Sequence, residues 1–163
     1  MTKNRMTDRE ITEIYLRHVQ TVYRVCYLYV KNPHDTEDMV QNTFIRLMRD
    51  DSVTFESNEH EKAWLIRTAV NLCKDFFKSR KRISLNYDSL QESAHYDQYR
   101  FNEALEKVLE LPPKYKTAIY MYYYEGYTSS EIAKILGMKE STVRSRLHHG
   151  RKRLKMEMEA EEL

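Results

Sequence analysis

The side chains of this chain best equipped for chemistry crowd into residues 128–155, TSSEIAKILGMKESTVRSRLHHGRKRLK. Lys139, Ser141, Thr142, Arg144, Ser145, Arg146, His148, His149, Arg151 and Lys152 fill the positions around Val143, Leu147 and Leu154, which recur at helical spacing. Arginine binds guanine through two parallel hydrogen bonds, and cationic side chains hold backbone phosphates. That chemistry is DNA recognition. Catalysis has no comparable cluster: His60-Glu61 lacks the second histidine of a zinc-binding H-E-x-x-H, and no glycine-rich phosphate loop occurs. Cys26 and Cys73 sit alone, outside any C-x-x-C pair, and are expected to be buried free thiols. The residues call for no cofactor and no metal.

The elements that must carry the basic cluster are legible around it. T-S-S-E at 128–131 is a capping-box pattern, in which the Thr128 hydroxyl and the Glu131 carboxylate satisfy each other's backbone donors. Ile132, Ala133, Ile135 and Leu136 then form the apolar stripe of a short helix, and Gly137 provides a sharp turn. A short helix, a glycine turn and a long basic helix make a helix-turn-helix. The net charge of the 163-residue chain is only +2, yet from Lys134 to Lys155 eight basic residues face one acid, Glu140. Local charge sets phosphate affinity, so the patch outweighs the sum.

Upstream, with only three Gly and three Pro in the chain, helical periodicity predominates. Ile11, Ile14, Tyr15, Val19, Val22, Tyr23, Cys26 and Tyr27 mark a helix from Asp8 to about Val30. A second helix is expected to be capped by Asp35, to bury Val40, Phe44, Leu47 and Met48, and to leave Glu37, Asp38, Gln41, Asn42, Arg46 and Arg49 outward. Residues 50–59 read as a loop holding Phe55. A third helix starts at His60, runs through Trp64, Leu65, Ala69, Leu72, Phe76 and Phe77, and closes in the basic run 78–82. Residues 83–102 read as a polar linker. Periodicity resumes at Glu103, breaks at Leu111-Pro112-Pro113, and continues through Ala118, Ile119, Met121, Tyr122 and Tyr123 to Gly126. The expected fold is all-α: two small helical domains, 8–82 and 103–157, joined by a flexible linker at 83–102. No apolar run is long enough to span a membrane and no signal peptide opens the chain, so a cytoplasmic protein is expected.

Four motifs, in this order and spacing, carry a family resemblance: D-T-E-D-M-V-Q-N-T-F at 35–44, A-W-L-I-R-T-A-V-N at 63–71, L-P-P at 111–113, and Y-Y-E-G-Y-T-S-S-E-I-A-K-I-L-G at 123–137. The chain resembles the extracytoplasmic-function sigma factors, promoter-recognition subunits of bacterial RNA polymerase that keep sigma regions two and four. The resemblance implies polymerase docking by Asp38, Gln41, Asn42, Arg46 and Arg49 on the clamp helices of the largest subunit, with a further contact to the flap. It implies that the third helix and the loop before it melt and read the minus-ten element. Melting needs rings to replace base stacking and cations for the single strand, which Phe55, Trp64, Arg67, Lys74 and Lys78 supply, and the resemblance adds Asn58 and Asn71 to the same DNA-binding set. The residues alone leave Trp64 open as core and Asn71 open as a cap.

In the second module the resemblance assigns Arg144, Ser145, His148 and His149 to the bases of the minus-thirty-five element, with Arg146, Arg151 and Lys152 on phosphates. Lys139 replaces the usual capping Ser or Thr, and His149 stands where many members have Arg. It also implies an anti-sigma partner, able to hold the protein at the membrane, and a linker that threads the polymerase channel. A merely flexible tether explains the composition of 83–102 equally well. The competing function is a stand-alone helix-turn-helix regulator that does not dock on polymerase.

Overall fold

The computed structural model describes residues 5–82 and 103–161, and among them it holds seven helices and no strand. Helices α1 (Asp8–Val30), α2 (Pro33–Arg49) and α3 (Asn58–Arg82) build one compact unit. Helices α4 (Glu103–Glu110), α5 (Pro113–Tyr123), α6 (Ser129–Leu136) and α7 (Glu140–Glu161) build a second. The expected linker, 83–102, lies outside the described residues.

In the first unit, α1 packs on both α2 and α3, and α2 packs on α3. Thr7 caps α1 through a capping box: its hydroxyl accepts from the Glu10 N–H at 3.2 Å, and the Glu10 carboxylate accepts from the Thr7 N–H at 2.8 Å. The helix stops at Lys31, which takes a left-handed conformation (φ 57°) that costs an L-residue about 1 kcal/mol. The cap of α2 is Asn32, not Asp35. Its side-chain oxygen accepts from the Asp35 N–H at 2.8 Å, and its amide donates to the Asp35 carboxylate at 2.7 Å. Pro33 accounts for the difference. With φ preset and no N–H to lose, it suits the first helical position and brings the start forward.

Helix α3 likewise starts at Asn58 rather than His60, because the Ser57 hydroxyl accepts from the His60 N–H at 3.1 Å. Between the helices lie Val22, Val25, Leu28, Val40, Phe44, Leu47, Leu65, Ile66, Ala69 and Val70, all buried. Met48 is not among them. It is 46% exposed, since Thr36, Val40, Thr43, Phe44 and Leu47 define the inward stripe of α2 and position 48 falls beside it. The two buried threonines satisfy their own hydroxyls, donating to the carbonyls of Asn32 and Met39 four residues back. Cys26 and Cys73 are free and buried, as expected, but they do not sit alone. Burial raises the Cys26 thiol well above the usual thiol range, the hydrogen-bonded Cys73 adds to the rise, and Thr43 opposes it.

In the second unit, α5 packs on α4, α6 and α7, and α6 packs on α7. Leu111, Ala118, Ile119, Tyr120, Met121, Ile132, Val143 and Leu147 are buried in its core. Tyr122 and Tyr123 are exposed, and the helix ends at Tyr123, short of the expected Gly126. The helix-turn-helix forms as its residues predict. The Thr128 hydroxyl accepts from the Glu131 N–H at 3.1 Å, and the Glu131 carboxylate accepts from the Thr128 N–H at 3.0 Å. Gly137 takes the left-handed conformation (φ 66°), its N–H donates to the Ala133 carbonyl, and α7 follows three residues later.

The Thr128 backbone N–H bond, backed by the Thr128 hydroxyl, holds the Glu131 carboxyl below its ordinary value of 4.5. A lowered folded-state value stabilises the unit above pH 4.5 and loses that contribution as pH falls through the lowered value. Protection factors of the α6 amides are therefore expected to fall below about pH 4.5, and Glu131→Gln to flatten that fall. Thr128→Ala is expected to cost about 1 kcal/mol at neutral pH, read from the same amides.

Candidate nucleic-acid and polymerase interfaces

Burial of Val143, Leu147 and Gly150 fixes which side of α7 faces the core. Ser141, Ser145, His148, His149 and Lys152 lie on the opposite side and are exposed. Arg144 is exposed on one flank, held by Glu140 at 3.3 Å. Arg146 and Thr142 are half-buried on the other flank, with Arg146 reaching the Met138 sulfur at 3.7 Å. Lys139 precedes α7, exposed, and its carbonyl accepts from the Val143 N–H at 3.2 Å. Arg151 is exposed but already engaged. Its Nε donates to the Tyr123 hydroxyl at 2.5 Å, and its guanidinium lies 5.3 and 5.6 Å from the ring centroids of Tyr122 and Tyr123. The exposed Tyr122-Tyr123 pair at the end of α5 thus engages Arg151.

On α3, Trp64, Arg67, Asn71, Lys74 and Lys78 follow at intervals of three and four and so share one side of the helix. All but the half-buried Trp64 are exposed. Asn71 makes no hydrogen bond among the described residues, so it does not serve as a cap. Phe55 reaches this stripe from the loop: its ring meets His60 edge-on at 5.3 Å and Trp64 at 6.0 Å. His60 is fixed in turn by the Glu56 N–H, which donates to its Nδ1 at 3.3 Å. Asn58 is exposed in the first turn of α3, where helical spacing places it away from the stripe.

Beneath Phe55 lies a cavity of about 410 Å³ lined by Arg5, Arg17, Val53, Thr54, Phe55 and Glu61 among others. Glu61 is buried at its base. It accepts from Arg17 Nε at 3.2 Å and from Arg17 Nη2 at 3.0 and 3.1 Å, and its Oε1 lies 3.1 Å from His18 Nε2. Sequence reading met Glu61 only as half of a failed zinc motif. Among the described residues, no group of three or more His, Cys, Asp or Glu could hold a metal ion.

On α2, Asp38, Gln41, Asn42, Arg46 and Arg49 are all exposed and lie on one side. Ile45, 38% exposed, sits among them and was missed in the sequence because the stripe reads as purely polar. Asn42, Ile45, Arg46 and Arg49 line an open cavity of about 610 Å³ together with Asp50, Asp51, Ser52 and Leu72. An apolar residue ringed by polar ones is the pattern of a protein interface, with a desolvating centre and a wet rim. Among the described residues, no helix is long and apolar enough to cross a membrane.

Residues 14–83 match the family profile of Sigma-70 region 2, and residues 101–154 match Sigma-70 region 4. The RNA polymerase sigma factor SigV of Bacillus subtilis is 30% identical over 100% of this chain and 99% of its own length. The ECF RNA polymerase sigma factor SigE of Mycolicibacterium smegmatis is 36% identical over 88% of this chain. The alignment spans 59% of that longer protein. Among solved structures, the sigma factor RpoE of Bartonella quintana, bound to the anti-sigma factor NepR, superposes with a TM-score of 0.73 at 22% identity, covering 93% of this chain and 98% of that one. CnrH, in complex with the cytosolic domain of CnrY, gives a TM-score of 0.64 at 20% identity, over 94% and 90% of the two chains. These two likenesses concern the fold.

Proposed function

The chain belongs to the extracytoplasmic-function family of RNA polymerase sigma factors, and we propose that it directs core polymerase to promoters through three surfaces on its two units. The exposed stripe of α2, Asp38, Gln41, Asn42, Arg46 and Arg49 around Ile45, docks on the clamp helices of the polymerase's largest subunit. The stripe of α3 with Phe55 engages the minus-ten element. Phe55 and Trp64 offer ring faces to unstacked bases, Arg67, Lys74 and Lys78 follow the single-strand backbone, and Asn71 meets a base edge. The cavity under Phe55 receives a flipped base. In the second unit, α7 enters the major groove at the minus-thirty-five element: Arg144, Ser145, His148 and His149 read bases, while Lys139, Arg146 and Lys152 hold phosphates.

The observation that carries this reading is the edge-on Phe55–Trp64 pair at the head of a cationic α3 stripe. A stand-alone helix-turn-helix regulator has no use for a stacking surface on a second unit, whereas strand opening requires one. The protein performs no catalysis of its own and acts in the cytoplasm. Because the solved neighbours include sigma factors bound to anti-sigma factors, we place an anti-sigma protein among its partners.

Run-off transcription with core polymerase and a panel of minus-thirty-five variants tests the assignment. Arg144→Ala is expected to reduce discrimination at one base pair by about tenfold, near the lower end of the 1–3 kcal/mol that a bidentate contact supplies, and to leave core binding intact. Unchanged promoter choice would remove Arg144 from base reading.

A further inference from the structure

Helix α5 begins with Pro113, and its second and third residues, Lys114 and Tyr115, belong to none of the three surfaces above. They nevertheless adjoin α7. A cavity of about 360 Å³ is lined by Lys114 and Tyr115 on one side and by Ser141, Thr142, Ser145, Arg146 and His149 on the other. The half-buried Tyr115 ring gathers three basic groups. Lys114 Nζ lies 4.9 Å from its centroid, the Arg153 guanidinium 5.9 Å, and the His149 ring 6.4 Å at an angle of 48°.

Gly150 makes the approach possible. A Cβ there would stand 3.3 Å from Tyr115 Cβ and 2.8 Å from Ile119 Cγ1, so only glycine lets α7 settle this close on α5. Lys114 and Arg153 are exposed, and neither has a carboxylate partner among the described residues. Cations collected on an aromatic ring beside three serine and threonine hydroxyls form a surface for an oxyanion.

We propose that Lys114 and Tyr115 extend the DNA interface of the second unit beyond the helix-turn-helix. Lys114 and Arg153 take backbone phosphate at the groove wall, and Tyr115 is a positioning residue that sets the His149 imidazole against its base. The ligand class is the phosphodiester of duplex DNA flanking the bases read by α7. This inference rests on the reading of α7 as the recognition helix.

The test uses holoenzyme reconstituted from the full chain and core polymerase. Promoter binding is measured from 0.05 to 0.3 M salt. Lys114→Ala is expected to weaken binding about three- to tenfold at moderate salt, equally for all minus-thirty-five variants, and to reduce the slope of log K against log salt by about one. Tyr115→Leu is expected to lose discrimination at the His149 base step and Tyr115→Phe to keep it, a split that general destabilisation does not produce. An unchanged salt slope for Lys114→Ala, alongside a loss of base discrimination in Arg144→Ala, overturns the proposal and leaves α7 as the recognition helix. If both variants are silent, the reading of α7 falls with it.

Discussion

Replacing Glu61 by leucine is expected to cost the first unit about 3 kcal/mol, seen as a lower urea midpoint with an unchanged m-value. The carboxylate anchors the first turn of α3 to α1 through bonds of 3.0–3.2 Å from Arg17 and a 3.1 Å contact with His18. Leucine matches its bulk but leaves a buried imidazole and a guanidinium without their acceptor. Breaking a buried pair costs about 3–5 kcal/mol. The Arg17 side chain is 38% exposed, so water recovers part of its share and the low end applies. Glu61→Gln keeps one oxygen acceptor and is expected to lose about half as much. Because Glu61 and Arg17 also line the cavity under Phe55, strand opening is expected to suffer beyond the stability loss. A leucine variant within about 0.5 kcal/mol of the parent would show that the cluster contributes nothing net.

Gly150→Leu is expected to destabilise the second unit by about 2 kcal/mol. Overpacking a tight contact costs about 1–3 kcal/mol, and replacing a helical glycine returns about 1. The contact is tight here, because even a Cβ would stand 2.8 Å from Ile119 Cγ1, a methylene bonded to the branched Cβ rather than a flexible side-chain tip. Gly150→Ala forces only that one atom in, and its helix-propensity gain nearly offsets the clash, so its expected loss is below about 1 kcal/mol. Amide exchange in α5 and α7 of the full chain separates the cases. Slower exchange in the leucine variant would mean that α5 and α7 have room to spare.

What the sequence discloses divides by the range of the interaction. Thr128, Glu131 and Gly137 could be read because caps and turns are local, three or four residues wide. The start of α2 was misplaced for an equally local reason. Asn32 and Asp35 are both capable caps three residues apart, and only Pro33 arbitrates between them. Met48 was drawn into the core by a periodicity that tolerates one position of drift, whereas burial does not. Glu61 was beyond reach: its partner Arg17 lies 44 residues upstream, and no motif joins them. The meeting of Cys26 with Cys73 and of Tyr115 with His149 are likewise products of helix packing. The stripe on α2 was legible as an outward face, but its function, like the whole of the α3 stripe, came from the family motifs. Only packing revealed Ile45 as the apolar centre of one and Phe55 as the head of the other.

Size-exclusion co-elution of the full chain with bacterial core RNA polymerase, at moderate salt and without DNA, is the decisive measurement. A sigma factor forms a stable stoichiometric complex under those conditions, and the folded double variant Asp38→Arg, Gln41→Ala elutes largely apart from core. A well-folded parent chain that elutes alone would contradict the assignment and return the protein to the class of stand-alone DNA-binding regulators.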